Sequence, residues 1–324
     1  MNLNSKIYIA GHTGLVGSAL LRELQSEGFI NILKKTHSEL DLTNQKEVAN
    51  FFQKEKPEYV ILAAAKVGGI HSNNSYPAEF IFSNLCIQTN IIHQSYLSGV
   101  KRLLFLGSSC IYPKECPQPI KEEYLLSGTL EATNRPYAIA KIAGIEMCWS
   151  YNRQYQTQYL SVMPTNLYGT GDSYHPENSH VIPAMIRKFH EAKINKKDVV
   201  TLWGDGTPRR EFLYIDDMAE ACIFIMNLDE NIFNSLLAQD RNAGLPPALN
   251  LGSNDDLSII DLACLIKEIV GFSGEISFDK TKPNGTMRKL MSSSKLNSLG
   301  WKAKTSLKDG LQRSYEDFKK IVFK

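Results

Sequence analysis

The chain has 324 residues, 43% of them hydrophobic, and a formal net charge of +2. That length suits a large core and two lobes, and the balance excludes both a disordered chain and a surface built to coat nucleic acid. No segment approaches the ~18 consecutive apolar residues of a membrane span. Met1-Asn2-Leu3-Asn4-Ser5-Lys6 runs directly into a strand, so neither a signal peptide nor membrane attachment is expected. The six cysteines (Cys86, Cys110, Cys116, Cys148, Cys222 and Cys264) form no Cys-x-x-Cys pair and no zinc spacing. Reduced thiols in a cytoplasmic protein, and no metal, are the expectation.

Lys6-Ile7-Tyr8-Ile9-Ala10 reads as a strand. Gly11-His12-Thr13-Gly14-Leu15-Val16-Gly17 follows, then an apolar-striped helix over 18–25 that ends by Gly28. Strand, glycine turn and helix form a dinucleotide-binding context: glycines allow a tight turn and a close backbone approach, and the helix start faces a pyrophosphate. The spacing is Gly-x-x-Gly-x-x-Gly, not Gly-x-Gly-x-x-Gly. Asp41-Leu42-Thr43 leads into a helix over 44–56, with Val48, Phe51 and Phe52 on one face and Pro57 as its stop. A buried strand over 59–65, a loop over 66–70 and a long helix opened by Pro77 come next. Strands alternating with helices predict a doubly wound parallel sheet, with ligands at the carboxyl ends of its strands. Gly11, Ala63 and Ala64, Ser108, and Pro164-Thr165-Asn166 all fall at such ends.

Leu103-Leu104-Phe105-Leu106-Gly107-Ser108-Ser109-Cys110 is an apolar run ending in small polar groups, as at the end of a buried parallel strand. Tyr137 and Lys141, four apart after Pro136, share one helix face. A hydroxyl, a thiol, a phenol and an ammonium converging there can polarise a carbonyl and move protons. With 14 tyrosines, about one Tyr-x-x-x-Lys arises by chance. The second such pair, Tyr315 and Lys319, follows no comparable strand and reads as a solvated helix face.

Beyond Gly169 the sequence turns polar over 170–179. A helix over 180–192 carries Arg187 and Lys188. A strand over 199–203 ends in Trp203 and is closed by Gly204-Asp205-Gly206. Asp216 reads as the cap of a helix to about Leu228. Ser258 with Asp261 reads as a capping box for 259–270, ended by Gly271. A short strand over 275–278 and a helix from Ser306 to about Phe318 complete the chain. The expected division is 1–170 for the dinucleotide domain and 171–324 for a smaller substrate domain, with elements such as 213–228 returning to the first.

The motif Gly11-x-x-Gly14-x-x-Gly17, with Ser108 and Tyr137-x-x-x-Lys141, resembles the extended short-chain dehydrogenase/reductases. Runs at 63–70, 105–113, 136–144, 162–169, 178–183, 210–213 and 216–218 are similar to a branch of epimerase-reductases acting on GDP-4-keto-6-deoxy sugars. The resemblance implies an α/β protein with a Rossmann sheet and a smaller C-terminal α/β lobe. It implies NADP(H) as cofactor, held along Gly11–Gly17, at His37, Asp41, Leu42, Ala63, Ala64, Leu106, Gly107, Ser108 and Ser109, and at Lys141, 164–167 (Pro164, Thr165, Asn166, Leu167) and His180. Tyr137 is then the general acid for the C4 oxygen, Ser108 its hydrogen-bond partner, and Lys141 the group that lowers the tyrosine's pKa and holds the nicotinamide ribose. Cys110 and His180 are implied as the proton-transfer pair for C3 and C5, the thiol fitting the base if it is activated. On its own, His180 reads equally as a hydrogen-bonded surface or core histidine. Lys188, Trp203, Arg210 and Asp279 are implied around the GDP moiety; Arg288 reads equally as solvated surface. A homodimer through the long helices is expected by analogy.

Thr13 and His37 stand where this family often carries basic residues that grip the extra phosphate of NADP, which predicts a weaker preference over NADH. Three other functions remain open from sequence. They are the same chemistry, or C4 reduction alone, on another GDP-4-keto sugar such as a deoxyheptose or dideoxyhexose; a 4-epimerase or 4,6-dehydratase; and a non-enzymatic nucleotide sensor. The dehydratase is disfavoured by Ser109 and Cys110 where acidic groups are expected, and the sensor by the presence of both Tyr137 and Lys141.

Overall fold

The structure is a computed structural model that describes residues 1–176, 179–242, 244–282 and 284–322. Asn178, at the start of one of the family-like runs, lies outside the described residues. In chain order the first half comprises β1 (Ile7–Ala10), α1 (Leu15–Ser26), β2 (Ile32–Leu33), α2 (Gln45–Glu55), β3 (Tyr59–Leu62), α3 (Ile70–Ser75), α4 (Pro77–Leu97), β4 (Arg102–Leu106), α5 (Arg135–Tyr155), β5 (Tyr159–Pro164) and β6 (Asn166–Tyr168). The second half adds α6 (Val181–Ile194), β7 (Val199–Trp203), β8 (Arg209–Tyr214), α7 (Ile215–Asn227), α8 (Glu230–Asn242), β9 (Ala248–Leu251), β10 (Asp256–Ser258), α9 (Ile259–Val270), β11 (Glu275–Asp279), β12 (Arg288–Lys289), α10 (Ser294–Ser298) and α11 (Leu307–Val322).

Six strands in the order β2-β1-β3-β4-β5-β9, all parallel, form the central sheet. Alternate side chains leave opposite faces of each strand. Ile7, Ile9, Ile61, Leu104, Leu106, Leu160 and Val162 pack with α1 and α7 on one side. Tyr8, Val60, Leu62, Leu103, Phe105, Tyr159 and Met163 pack with α2, α4 and α5 on the other. Burial on both faces is why these strands read as unbroken apolar runs, each fully buried aliphatic side chain contributing roughly 1.5–3 kcal/mol. The strand order reverses between β1 and β3, so a crevice opens there at the carboxyl ends. β2 has two residues and α3 follows Gly68-Gly69, and neither carries a periodic apolar signal.

The helix boundaries follow local chemistry. Asn44 accepts hydrogen bonds from the Lys46 and Glu47 amides to cap α2, and proline occupies the first turn of both α4 and α5. Ser258 and Asp261 bond each other at the start of α9, which Gly271 ends at φ 72°. Ser306 and Asp309 open α11 in the same way.

Two sequence expectations need correction. Asp216 does not cap α7. Tyr214 occupies the cap position without a side-chain bond, and Asp216 instead meets Arg22 of α1 at 2.8 Å. Its neighbour Asp217 accepts from the Lys304 and Thr305 amides, so α7 is tied to both α1 and the chain before α11. α7 therefore packs on the first-half sheet, and β9 joins that sheet at its edge. Tyr315 is not solvated. It is 8% exposed, and its hydroxyl lies 3.0 Å from His190 Nδ1, inside a second core built from Ile186, Phe189, Leu202, Phe212, Leu262 and Phe318. Tyr315→Phe should therefore lower stability by about 1 kcal/mol while leaving turnover unchanged, as read by urea unfolding beside steady-state kinetics.

Candidate active site

At the crevice, Gly11 has φ +88°, and a Cβ there would lie 2.7 Å from the Ala64 backbone. A Cβ on Gly17 would collide with the Gly11 carbonyl oxygen. These two glycines let β1, β3 and α1 close on one another, and the Gly14 amide donates to Gly11 O at 3.2 Å. Gly14 precedes α1 with no side-chain cap, so the first-turn amides of α1 have no side-chain acceptor, and His12 Nδ1 is buried without a protein partner. Free amides at a helix start beside a glycine turn fit a pyrophosphate. Thr13 is exposed beside them, while Leu15 and Val16 turn back into the core.

The remaining predicted cofactor residues ring the strand ends. The Ala63 amide donates to Ala10 O at 3.0 Å, Gly107 to Val162 O at 2.8 Å and Thr165 to Leu251 O at 3.0 Å. Ser109 is buried in the turn after β4, and Pro164 closes β5. Asn166 Nδ2 donates to Glu211 O at 2.8 Å, and Leu167 packs in β6 against the sheet core. On the far side, Asp41 accepts from the Thr43 amide, Leu42 O accepts from Asn90, and His37 is 84% exposed with Nδ1 3.8 Å from Asp41.

Ser108 caps a short turn after β4, its Oγ accepting from the Cys110 amide at 3.3 Å. The same hydroxyl stands near both the Cys110 thiol and the Tyr137 phenol and favours the charged form of each. Burial pushes Tyr137 well above its ordinary value, with Cys110 adding to the rise. Lys141 is 3% exposed, and burial pushes it down to about 8. The expected lowering of the phenol by Lys141 is not what the structure has: Nζ lies 5.8 Å from the Tyr137 ring and donates to Leu106 O at 2.7 Å. Tyr137 is thus held as a neutral phenol, the form that can give up a proton.

Burial also raises the Cys110 thiol, and the largest opposing influence is Lys289, ahead of Ser108 and Lys141. Lys289 is a residue that the sequence reading missed. The neighbouring Arg288, open in sequence between the GDP moiety and solvated surface, bonds Asp256 through Nε at 2.6 Å, and Arg209 meets the same carboxylate. Two cations adjacent on a strand leave opposite faces, which was the one signal available to separate them.

His180 immediately precedes α6. The residue is exposed, although desolvation by surrounding protein holds the imidazole below its ordinary value. Among the described residues no hydrogen bond joins His180 to the Ser108 group. In the second lobe, Trp203 is 59% exposed at the end of β7 and is registered beside Asp279 of β11. The Asp279 carboxylate accepts from the Thr281 amide and hydroxyl, and Lys282 Nζ stands 5.6 Å from the Trp203 ring. Arg210 donates to Arg209 O at 2.8 Å, and Lys188 lies on the exposed side of α6; partial burial lowers both cations. No cluster of three or more metal-ligating side chains occurs among the described residues.

A glycine-turn crevice that fits a dinucleotide, with serine, tyrosine and lysine at the next strand end, defines a nucleotide-dependent oxidoreductase site on a Rossmann sheet. The chain belongs to the NAD dependent epimerase/dehydratase family, whose model matches residues 7–235. It is 59% identical over 313 residues to putative GDP-L-fucose synthase 2 of Arabidopsis thaliana, covering 97% of this chain and 91% of that one. It is 50% identical over 313 residues to GDP-L-fucose synthase of Escherichia coli (strain K12), covering 97% and 96%. A solved GDP-mannoheptose C4 reductase from Campylobacter jejuni with NADP bound superposes with TM-score 0.88 at 45% identity, covering 98% and 99%.

The depressed Lys141 carries a pH signature. Its value is about 8 folded and about 10.4 unfolded, so between these values the unfolded chain holds more protons and stability rises with pH. The burial penalty is fully present below pH 8. The unfolding free energy of wild type minus that of Lys141→Met should therefore climb from pH 8 to about 10.4, measured by urea titration at four pH values. A flat difference would place the lysine charge outside the folded core.

Proposed function

We propose that the protein converts GDP-4-keto-6-deoxy-D-mannose to GDP-L-fucose, epimerising C3 and C5 and reducing the C4 keto group with NADPH. The observation that carries this reading is the grouping of Ser108, Cys110 and Tyr137 at the end of β4, where the Ser108 hydroxyl accepts from the Cys110 amide and favours the charged form of both the thiol and the phenol. One group there can break a carbon–hydrogen bond next to a ketone, and another can protonate that ketone's oxygen. The GDP-L-fucose synthases at 50–59% identity supply the substrate class, and the NADP-bound relative supports the cofactor.

When bound, the nicotinamide supplies a hydride to C4. Tyr137 gives its proton to the C4 oxygen, and Ser108 donates a hydrogen bond to the same atom. Lys141 holds the nicotinamide ribose. For epimerisation, the Cys110 thiolate takes the proton from C3 or C5: the C–H bond breaks, its electron pair moves into the C4 carbonyl as an enolate, and an S–H bond forms. His180, protonated from solvent, returns a proton to the opposite face, forming the new C–H bond and restoring the ketone. Lys188 and Arg210 pair with the pyrophosphate, and Trp203 and Asp279 receive the guanosine. The Gly11–Gly17 turn, Ala63, Ala64 and 164–167 hold the dinucleotide. Phe82, Leu97, Ile139 and Tyr155 are exposed on α4 and α5, which supports a homodimer through those helices. The enzyme works in the cytoplasm.

The test is solvent exchange in D₂O, with deuterium at C3 and C5 read by mass spectrometry. Wild type should incorporate label at both carbons. Cys110→Ser should lose exchange first and release the unepimerised 6-deoxy product, because a hydroxyl is a far poorer base. Tyr137→Phe should keep exchange and lose C4 reduction by roughly 10² or more. A wild type that reduces without exchange would instead be a C4 reductase of another GDP-4-keto sugar, as the Campylobacter relative's name describes.

A further inference from the structure

A buried thiol is a poor base unless a positive charge stabilises its thiolate. In this site that charge has a specific source. β12 runs parallel to β8, with Lys289 in register with Arg210, so the two cations leave the same side of the ribbon. The strand is held firmly. Leu290 N donates to Gln118 Oε1 at 2.9 Å, Met291 N to Glu211 Oε2 at 3.0 Å, and Ile120 N to Leu290 O at 2.7 Å. These bonds tie Lys289 to the segment that follows Cys110. Cys110 and Lys289 line one small cavity of about 40 Å³, together with Lys114, Glu131, Asn134 and Arg288.

We propose that Lys289 is a positioning residue whose ammonium, sharing this cavity with Cys110, favours the thiolate that proton abstraction requires. The inference rests on the reading of Cys110 as the carbon-acid base. Of the other charges around the cavity, Glu131 and Arg288 are engaged elsewhere, and Lys114 is a second cation on its lining. Glu131 caps the turn before α5, accepting from the Thr133 and Asn134 amides. Arg288 is paired with Asp256, and Lys141 with Leu106 O. Arg210 disfavours the ammonium of Lys289, while Cys116 and Glu131 favour it. Among the described residues no hydrogen bond or ion pair occupies Lys289. Its burial lowers it and Cys110 raises it, the reciprocal of its own influence on the thiol. Thiolate and ammonium therefore each offset the other's desolvation.

The experiment measures Cys110 alkylation by iodoacetamide against pH, quantifying the Cys110 peptide by mass spectrometry, in wild type, Lys289→Met and Lys289→Arg. C3 and C5 deuterium exchange and C4 reduction are measured on the same samples. Lys289→Met should move the alkylation midpoint up by at least one pH unit, which corresponds to about tenfold less thiolate at neutral pH. Exchange should slow about tenfold and recover at higher pH, while reduction falls much less. Lys289→Arg should restore most of both effects. If the methionine variant does not fold, Lys289→Gln is read in the same way. An unchanged midpoint would overturn the role of Lys289 and leave Cys110 as the base. A shifted midpoint with wild-type exchange would instead remove Cys110 from proton abstraction, and the inference with it.

Discussion

The bond from Lys141 Nζ to the Leu106 carbonyl sets the geometry of the site. It fixes α5 to the carboxyl end of β4. Because Tyr137 lies one turn earlier on α5 and Ser108 two residues after Leu106, this single contact brings phenol and hydroxyl together. Phe105 lies under the ammonium at 4.8 Å, replacing water with an aromatic face. The cost of burying the charge is met by geometry that a smaller or shorter side chain could not supply.

Much of the first half was legible because its signals are local. A buried parallel strand is a short apolar run, and Gly11, Pro77 and Pro136 mark turns and helix starts by their own backbone restrictions. The grouping of Ser108, Cys110, Tyr137 and Lys141 was also readable, because all four fall where topology collects strand ends. What was not readable depended on distant partners. Asp216 looks like a cap in isolation, but Arg22 lies 194 positions away in sequence and takes it. Tyr315 shares a spacing with Tyr137 and has a different fate because His190 waits opposite. Lys289 shows the same limit at the site itself: nothing near it in the chain says which of two adjacent cations faces inwards.

The electrostatics of the pocket divide the labour between groups that burial treats alike. Desolvation raises both Tyr137 and Cys110, which suits a proton donor and opposes a proton acceptor. Two roles in one low-dielectric pocket therefore require an asymmetry in nearby charge. The lysine on α5 is spent on a backbone carbonyl and the lysine on β12 is not. The two cations come from different halves of the chain, one on α5 and one on β12.

The edge strand β9 gives the two halves of the chain a shared order of assembly. β5 pairs with β4 on one side and, through Ser161–Pro164, with Ala248–Leu251 on the other. On a ribosome, β5 emerges long before its second neighbour, so its outer row of amides and carbonyls stays open while the intervening segment is made. An open, apolar, parallel edge is a site for wrong pairing between nascent chains. The last strand of the sheet thus acts late, as a seal, and the time before it arrives is when this protein most needs protection from its own copies.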